Sequence, residues 1–117
     1  MGDVVVVRAG GHVYGIPLET VVEVTRMVAL AAAPAGQTWA AGLLDLRGAP
    51  VPVVDVAPRL GLTPQAPVLD RRIVVARHPA DPAASLGLVV DEVSGVAPAG
   101  TPLLDLTALV GGASGAG

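Results

Sequence analysis

The sequence predicts an all-β fold, a small sandwich or barrel assembled from many short strands. Three observations carry that expectation. Valine dominates the apolar runs, and its branched side chain suits a pleated, half-buried surface. The runs are short and end on Gly, Pro or Asp. Gly and Pro are frequent, 15 and 11 in 117 residues, so turns are closely spaced.

Taken in order, residues 3–9 read as a strand, and Gly10-Gly11 as a hairpin turn that needs positive φ. Residues 12–16 return and stop at Pro17, and the β-branched run 21–25 follows. Residues 42–47 and 51–56 flank Gly48-Ala49-Pro50, read as a second hairpin turn. Residues 57–60 suit one helical turn before Gly61, and the Pro-bearing stretch 63–71 reads as a linker. Residues 72–77, 86–91, 93–96 and 102–106 complete the strands, with a Pro-rich loop over 78–85. The Gly/Ala/Ser tail, 112–117, is expected to be flexible.

The chain also repeats itself. Residues 14–24, YGIPLETVVEV, align with 86–96, LGLVVDEVSGV. Residues 52–61, PVVDVAPRLG, align with 102–111, PLLDLTALVG, and VVVVR at 4–8 aligns weakly with IVVAR at 73–77. The three matches fall in the same order, so residues 3–62 and 72–111 read as two copies. Gly15 to Pro52 spans 37 positions and Gly87 to Pro102 spans 15, so the second copy lacks 22 residues. A barrel short of a strand exposes an edge that invites pairing.

Composition removes several functions. There is no cysteine, hence no disulfide scaffold, zinc ribbon or thiol chemistry. The formal charge is −3 and the basic residues are dispersed, which argues against nucleic-acid binding. Over half the residues are apolar, against disorder. With only Tyr14 and Trp39 as aromatics, the core is expected to be aliphatic. The uncharged stretch between Arg26 and Asp45 is too rich in Ala, Gly and polar residues for a membrane span, and suits a buried loop or short helix. No membrane insertion and a cytoplasmic location are expected.

No catalytic set is visible. Asp45, Asp55 and Asp105 sit in DLRG, DVAP and DLTA, none of which is the Asp-Thr/Ser-Gly of a duplicated aspartic protease. Their ordinary reading is a strand-ending residue that caps the next turn. A hydrolase using Asp55 and Asp105 is therefore the weakest reading. His12 and His78 have no partners at metal-ligand spacing, and no serine sits in a nucleophile elbow. No phosphate loop is present, so neither cofactor nor metal is expected.

The segment 42–61, GLLDLRGAPVPVVDVAPRLG, resembles the central motif of the CheW-like family of chemotaxis adaptors, built around G-x-x-N-L-R-G and P-V-[VI]-D-L. Residues 14–24 resemble that family's YGIPIxxVxEI, residues 86–96 its VGLVVDxVSxV, and the opening VVVVRAGGHVYGIP its first hairpin. The resemblance implies two small β-barrel subdomains sharing an aliphatic core, the second truncated here. It implies a non-enzymatic adaptor that couples the cytoplasmic tips of chemoreceptors to the regulatory domain of a CheA-type histidine kinase. A module that binds a single partner or self-associates is the second reading.

By the same resemblance, Val21, Glu23, Gly42 and Arg47 are the candidate protein-binding residues. Each also has a structural reading. Val21 could be core. Glu23 could be a solvated strand residue. Arg47 could pair with Asp45 or Glu23. Gly42 could serve backbone geometry. Two departures stand out: Asp45 replaces the motif's Asn, and only residues 97–101 join Val96 to Pro102, where the family carries a longer stretch.

Overall fold

The computed structural model describes residues 2–116, with side chains through residue 111. The strands are β1 (Asp3–Ala9), β2 (His12–Pro17), β3 (Val21–Arg26), β4 (Gly42–Leu46), β5 (Ala49–Asp55), β6 (Arg72–Arg77), β7 (Ser85–Val90) and β8 (Glu92–Pro98). The helices are α1 (Val56–Arg59) and α2 (Leu106–Ala116), and 3-10 turns cover Leu18–Thr20 and Val68–Asp70. The flexible tail expected over 112–117 lies outside the residues whose side chains are described.

Two sheets form, with strand orders β2-β1-β8 and β3-β6-β7-β5-β4. All pairings are antiparallel except β5 with β7. Strand side chains alternate between faces, and the central strands β6 and β7 of the larger sheet are buried on both. In β6, Val74 and Ala76 face a core shared between the sheets, while Ile73 and Val75 face a second core inside the curl of their own sheet. Both cores are aliphatic, as the scarcity of aromatics requires. Burying each Val or Leu contributes roughly 1.5–3 kcal/mol.

The five-stranded sheet curls around its own core, and its edge strands β3 and β4 are not paired with each other. The chain leaving β3 runs over its mouth, packs Met27 and Leu30 on the inner core, and bridges Ala31 to Leu43 of β4. The stretch expected to be a buried loop or short helix is a loop and is not buried, residues 27–41 being exposed or half-buried; its bridge at Ala31 links the end of β3 to β4.

The repeat is present in three dimensions. Gly87 of β7 pairs in parallel with Val53 of β5, and Gly15 of β2 pairs in parallel with Leu103. These are equivalent positions in the two copies. A register shift falls between Val21 and Glu23 where β3 meets β6. Its equivalent falls between Val6 and Val7 where β1 meets β8. The copies exchange strands, since β3 of the first joins β6 of the second and β8 of the second joins β1 of the first. One barrel is thus β3-β6-β7-β5-β4. The shortened one holds β8, β1, β2 and the single bridge at Leu103, with no counterpart of β4.

Two local expectations are corrected. Residues 102–106 are not a strand: only Leu103 bridges to β2, and α2 starts at Leu106. The pairing is limited to Gly15, whose N–H donates to Pro102 O and whose carbonyl accepts from the Leu104 N–H, before the helix begins. The second hairpin turn is Arg47-Gly48 rather than 48–50, since Leu46 pairs directly with Ala49 and Pro50 already lies in β5. The tight turn is set by Asp45, whose Oδ1 accepts from the Gly48 N–H at 2.8 Å.

Candidate functional site

The candidate surface lies at the end of the complete barrel where β3 meets the β4–β5 turn. Arg47 and Gly48 both have positive φ, 51° and 89°. That is the pattern of a two-residue type I′ turn, which matches the twist of its strands. Arg47 is the one non-glycine residue with positive φ among those described. A branched, charged side chain gains nothing locally from that conformation. It does point the guanidinium across to β3, where Nη2 donates to Glu23 Oε1 at 2.7 Å. The Arg47 side chain remains 71% exposed. The Glu23 carboxylate, by its hydrogen bond and its charge, holds the guanidinium pKa above its ordinary value. The pair leaves most of a planar five-donor fork open to solvent.

Gly42 opens β4, and its Cα is crowded by the chain itself. A Cβ there would meet Ala31 O and Leu30 Cβ, each at 2.7 Å. This glycine lets residues 30–31 pass close to β4, which is the backbone role named for it above. Val21 is half-buried and packs on the shared core. The exposed aliphatics of β3 are its neighbours Val22 and Val24. The register shift after Val21 sets which residues point outward, and sequence alternation alone does not reveal it. Behind the Arg47 turn lies a shallow cleft of about 310 Å³ lined by Ala29, Ala31, Leu43, Asp45 and Pro50. Glu23 and Arg47 are therefore brought into contact. Gly42 and Val21 are not brought to that contact: Gly42 lies at the end of β4 away from the turn, and Val21 packs on the shared core.

A second polar cluster was not legible as such in the sequence. Asp91, just after β7, is buried, and its carboxylate accepts from the backbone N–H groups of Gly10, Gln65 and Ala66 at 2.9–3.1 Å. Burial alone would raise its pKa, but the three N–H donors and the Arg71 guanidinium at 3.9 Å outweigh it and hold the carboxyl below its ordinary value. Asp55 faces the same arginine at 3.9 Å. Desolvation, with help from the Asp91 charge, raises its pKa despite Arg71. This cluster pins the 63–71 segment to both copies. The available signal was an acid ending the long apolar run LGLVV.

Asp105 Oδ1 accepts from the Ala108 N–H, so it caps α2. Asp55 precedes α1 without a side-chain cap. Their environments differ although their repeat positions match.

Comparison with known proteins adds four findings. Residues 3–100 match the CheW-like domain. A probable chemotaxis protein CheW of Rhizobium etli is 30% identical over 94 residues, covering 80% of this chain and 59% of that protein. Protein PilI of Pseudomonas aeruginosa is 34% identical over 89 residues, covering 76% and 48%. The crystal structure of scaffolding protein TtCheW from Thermoanaerobacter tengcongensis superposes with a TM-score of 0.71 at 29% identity, covering 83% of this chain and 64% of that one. The chain spans less than two thirds of the length of each of these proteins.

Proposed function

Because the chain belongs to the CheW-like domain family of chemotaxis scaffolds, we propose that it couples the cytoplasmic tips of chemoreceptors to the regulatory domain of a CheA-type histidine kinase. It does so without chemistry of its own, as a cytoplasmic adaptor. The observation that carries this reading is the Arg47 turn. A left-handed arginine, braced by Glu23 and held out from the barrel rim, suits a carboxylate or carbonyl on a partner. The exposed Val22 and Val24 on β3 suit the apolar face of a partner element. Among the described residues, no helix is long and apolar enough to cross a membrane.

The test is binding to a purified kinase regulatory domain and to a receptor helical hairpin, followed by titration calorimetry. Arg47→Gly is the informative variant, because glycine accepts the positive φ of the turn. Its thermal midpoint is expected to stay level or rise, while affinity for at least one partner falls about tenfold. Unchanged affinity for both partners would remove Arg47 from the surface and leave its contact with Glu23 as a structural brace.

The second reading, a module that binds one partner only or self-associates, is favoured by the unfilled strand position of the shortened barrel. Binding to one partner with none to the other, or a mass that rises with concentration, would support it.

A further inference from the structure

The two barrels are built from equivalent residues, so the complete one shows what the shortened one lacks. In the complete barrel Val53 is fully buried, and β4 lies antiparallel along β5 beside it. The equivalent of Val53 is Leu103, which is 60% exposed. Val75 is fully buried, whereas its equivalent Val6 is only partly so. The backbone shows the same difference. Val53 O accepts from the Ala41 N–H at 2.7 Å. On the Leu103 side, Gly15 uses Pro102 O and the Leu104 N–H. The N–H and C=O of Leu103 itself therefore point the other way, to where a β4 would lie.

We propose that this opening receives one extended aliphatic strand from another protein, pairing antiparallel at Leu103 as Gly42 of β4 pairs at Val53. The sister barrel specifies the chemistry of that strand. β4 begins with a small residue, directs Leu44 into the barrel and Asp45 to solvent, and is fixed mostly by backbone hydrogen bonds. The guest accordingly carries large aliphatic side chains at alternate positions with a polar residue between them. A second copy of this chain has no such strand to give, since its own β4 is held between β5 and Ala31. This inference rests on the internal repeat and stands apart from the Arg47 surface.

The test uses the full-length protein and a fluorescein-labelled synthetic peptide of residues 41–48, the chain's own β4 segment. Fluorescence anisotropy is expected to show saturable binding of one peptide per chain. Leu103→Asp and Leu103→Lys are each expected to weaken it at least about tenfold. Thermal unfolding should be unchanged, because Leu103 is largely in solvent. A peptide carrying Leu44→Asp should not bind. No saturable binding would overturn the proposal. So would equal binding by the Leu103 variants, which would place the peptide elsewhere. A dimer in sedimentation that Leu103→Asp dissociates would assign the opening to a second copy instead.

Discussion

Single residues divide here between holding the fold and facing a partner, and the two kinds carry different chemistry. Asp91 is of the first kind. Its carboxylate satisfies three backbone N–H groups that join the β1–β2 turn, the 63–71 segment and the end of β7. Its folded-state pKa lies below the ordinary value, so its stabilisation is present above the unfolded-state pKa and is lost as pH falls through the folded-state value. Asp91→Asn keeps one acceptor oxygen and loses the charge. At pH 7 it is expected to cost about 1–3 kcal/mol in urea unfolding. The two proteins should converge as pH drops below about 4. A constant difference across that range would contradict the role given to the charge. Arg47 is of the second kind. The motif D-L-R-G made it legible, but its left-handed backbone and its reach to Glu23 required the fold. Asp45, where the motif has Asn, still supplies the oxygen that accepts from Gly48. The turn survives that substitution because only the acceptor is needed.

At the level of elements, the repeat explains what was legible and what was not. Strands with a partner on each side, such as β6 and β7, were read to within a residue, because burial on both faces leaves unbroken apolar runs. Residues 102–106 carry the same kind of apolar run, yet only Leu103 pairs and the helix takes over at Leu106. Propensity is local, but a strand needs an edge to pair with. The exchange of β3 and β8 between copies was likewise invisible, since linear order does not say which copy a strand joins. Paired glycines test the repeat directly. A Cβ on Gly87 would lie 2.7 Å from Val53 Cγ2 and 3.3 Å from Ile73 Cγ2, all within the packed barrel. On Gly15 it would meet Val4 at 3.1 Å beside the open barrel. Gly87→Ala is expected to cost about 1–3 kcal/mol by overpacking, and Gly15→Ala clearly less. Equal losses in thermal unfolding would mean that the two barrels are packed alike.

The whole molecule is one complete barrel and one open barrel sharing a core, with the candidate partner surface on the complete one. That placement keeps Arg47 and Glu23 on the barrel with its full set of five strands, while the missing strand leaves its mark on the other one. An aliphatic core of Val and Leu tolerates this arrangement because the central strands β6 and β7 are buried on both faces and serve both cores at once. The loss of 22 residues in one copy therefore opens an edge without dissolving the shared core. The central claim is that this shortened chain still joins two chemosensory components. Size-exclusion chromatography with light scattering, on the protein mixed with a CheA-type regulatory domain and a receptor hairpin, tests it most directly. The account predicts a ternary complex whose mass equals the sum of its parts. Elution of all three as separate species would contradict it.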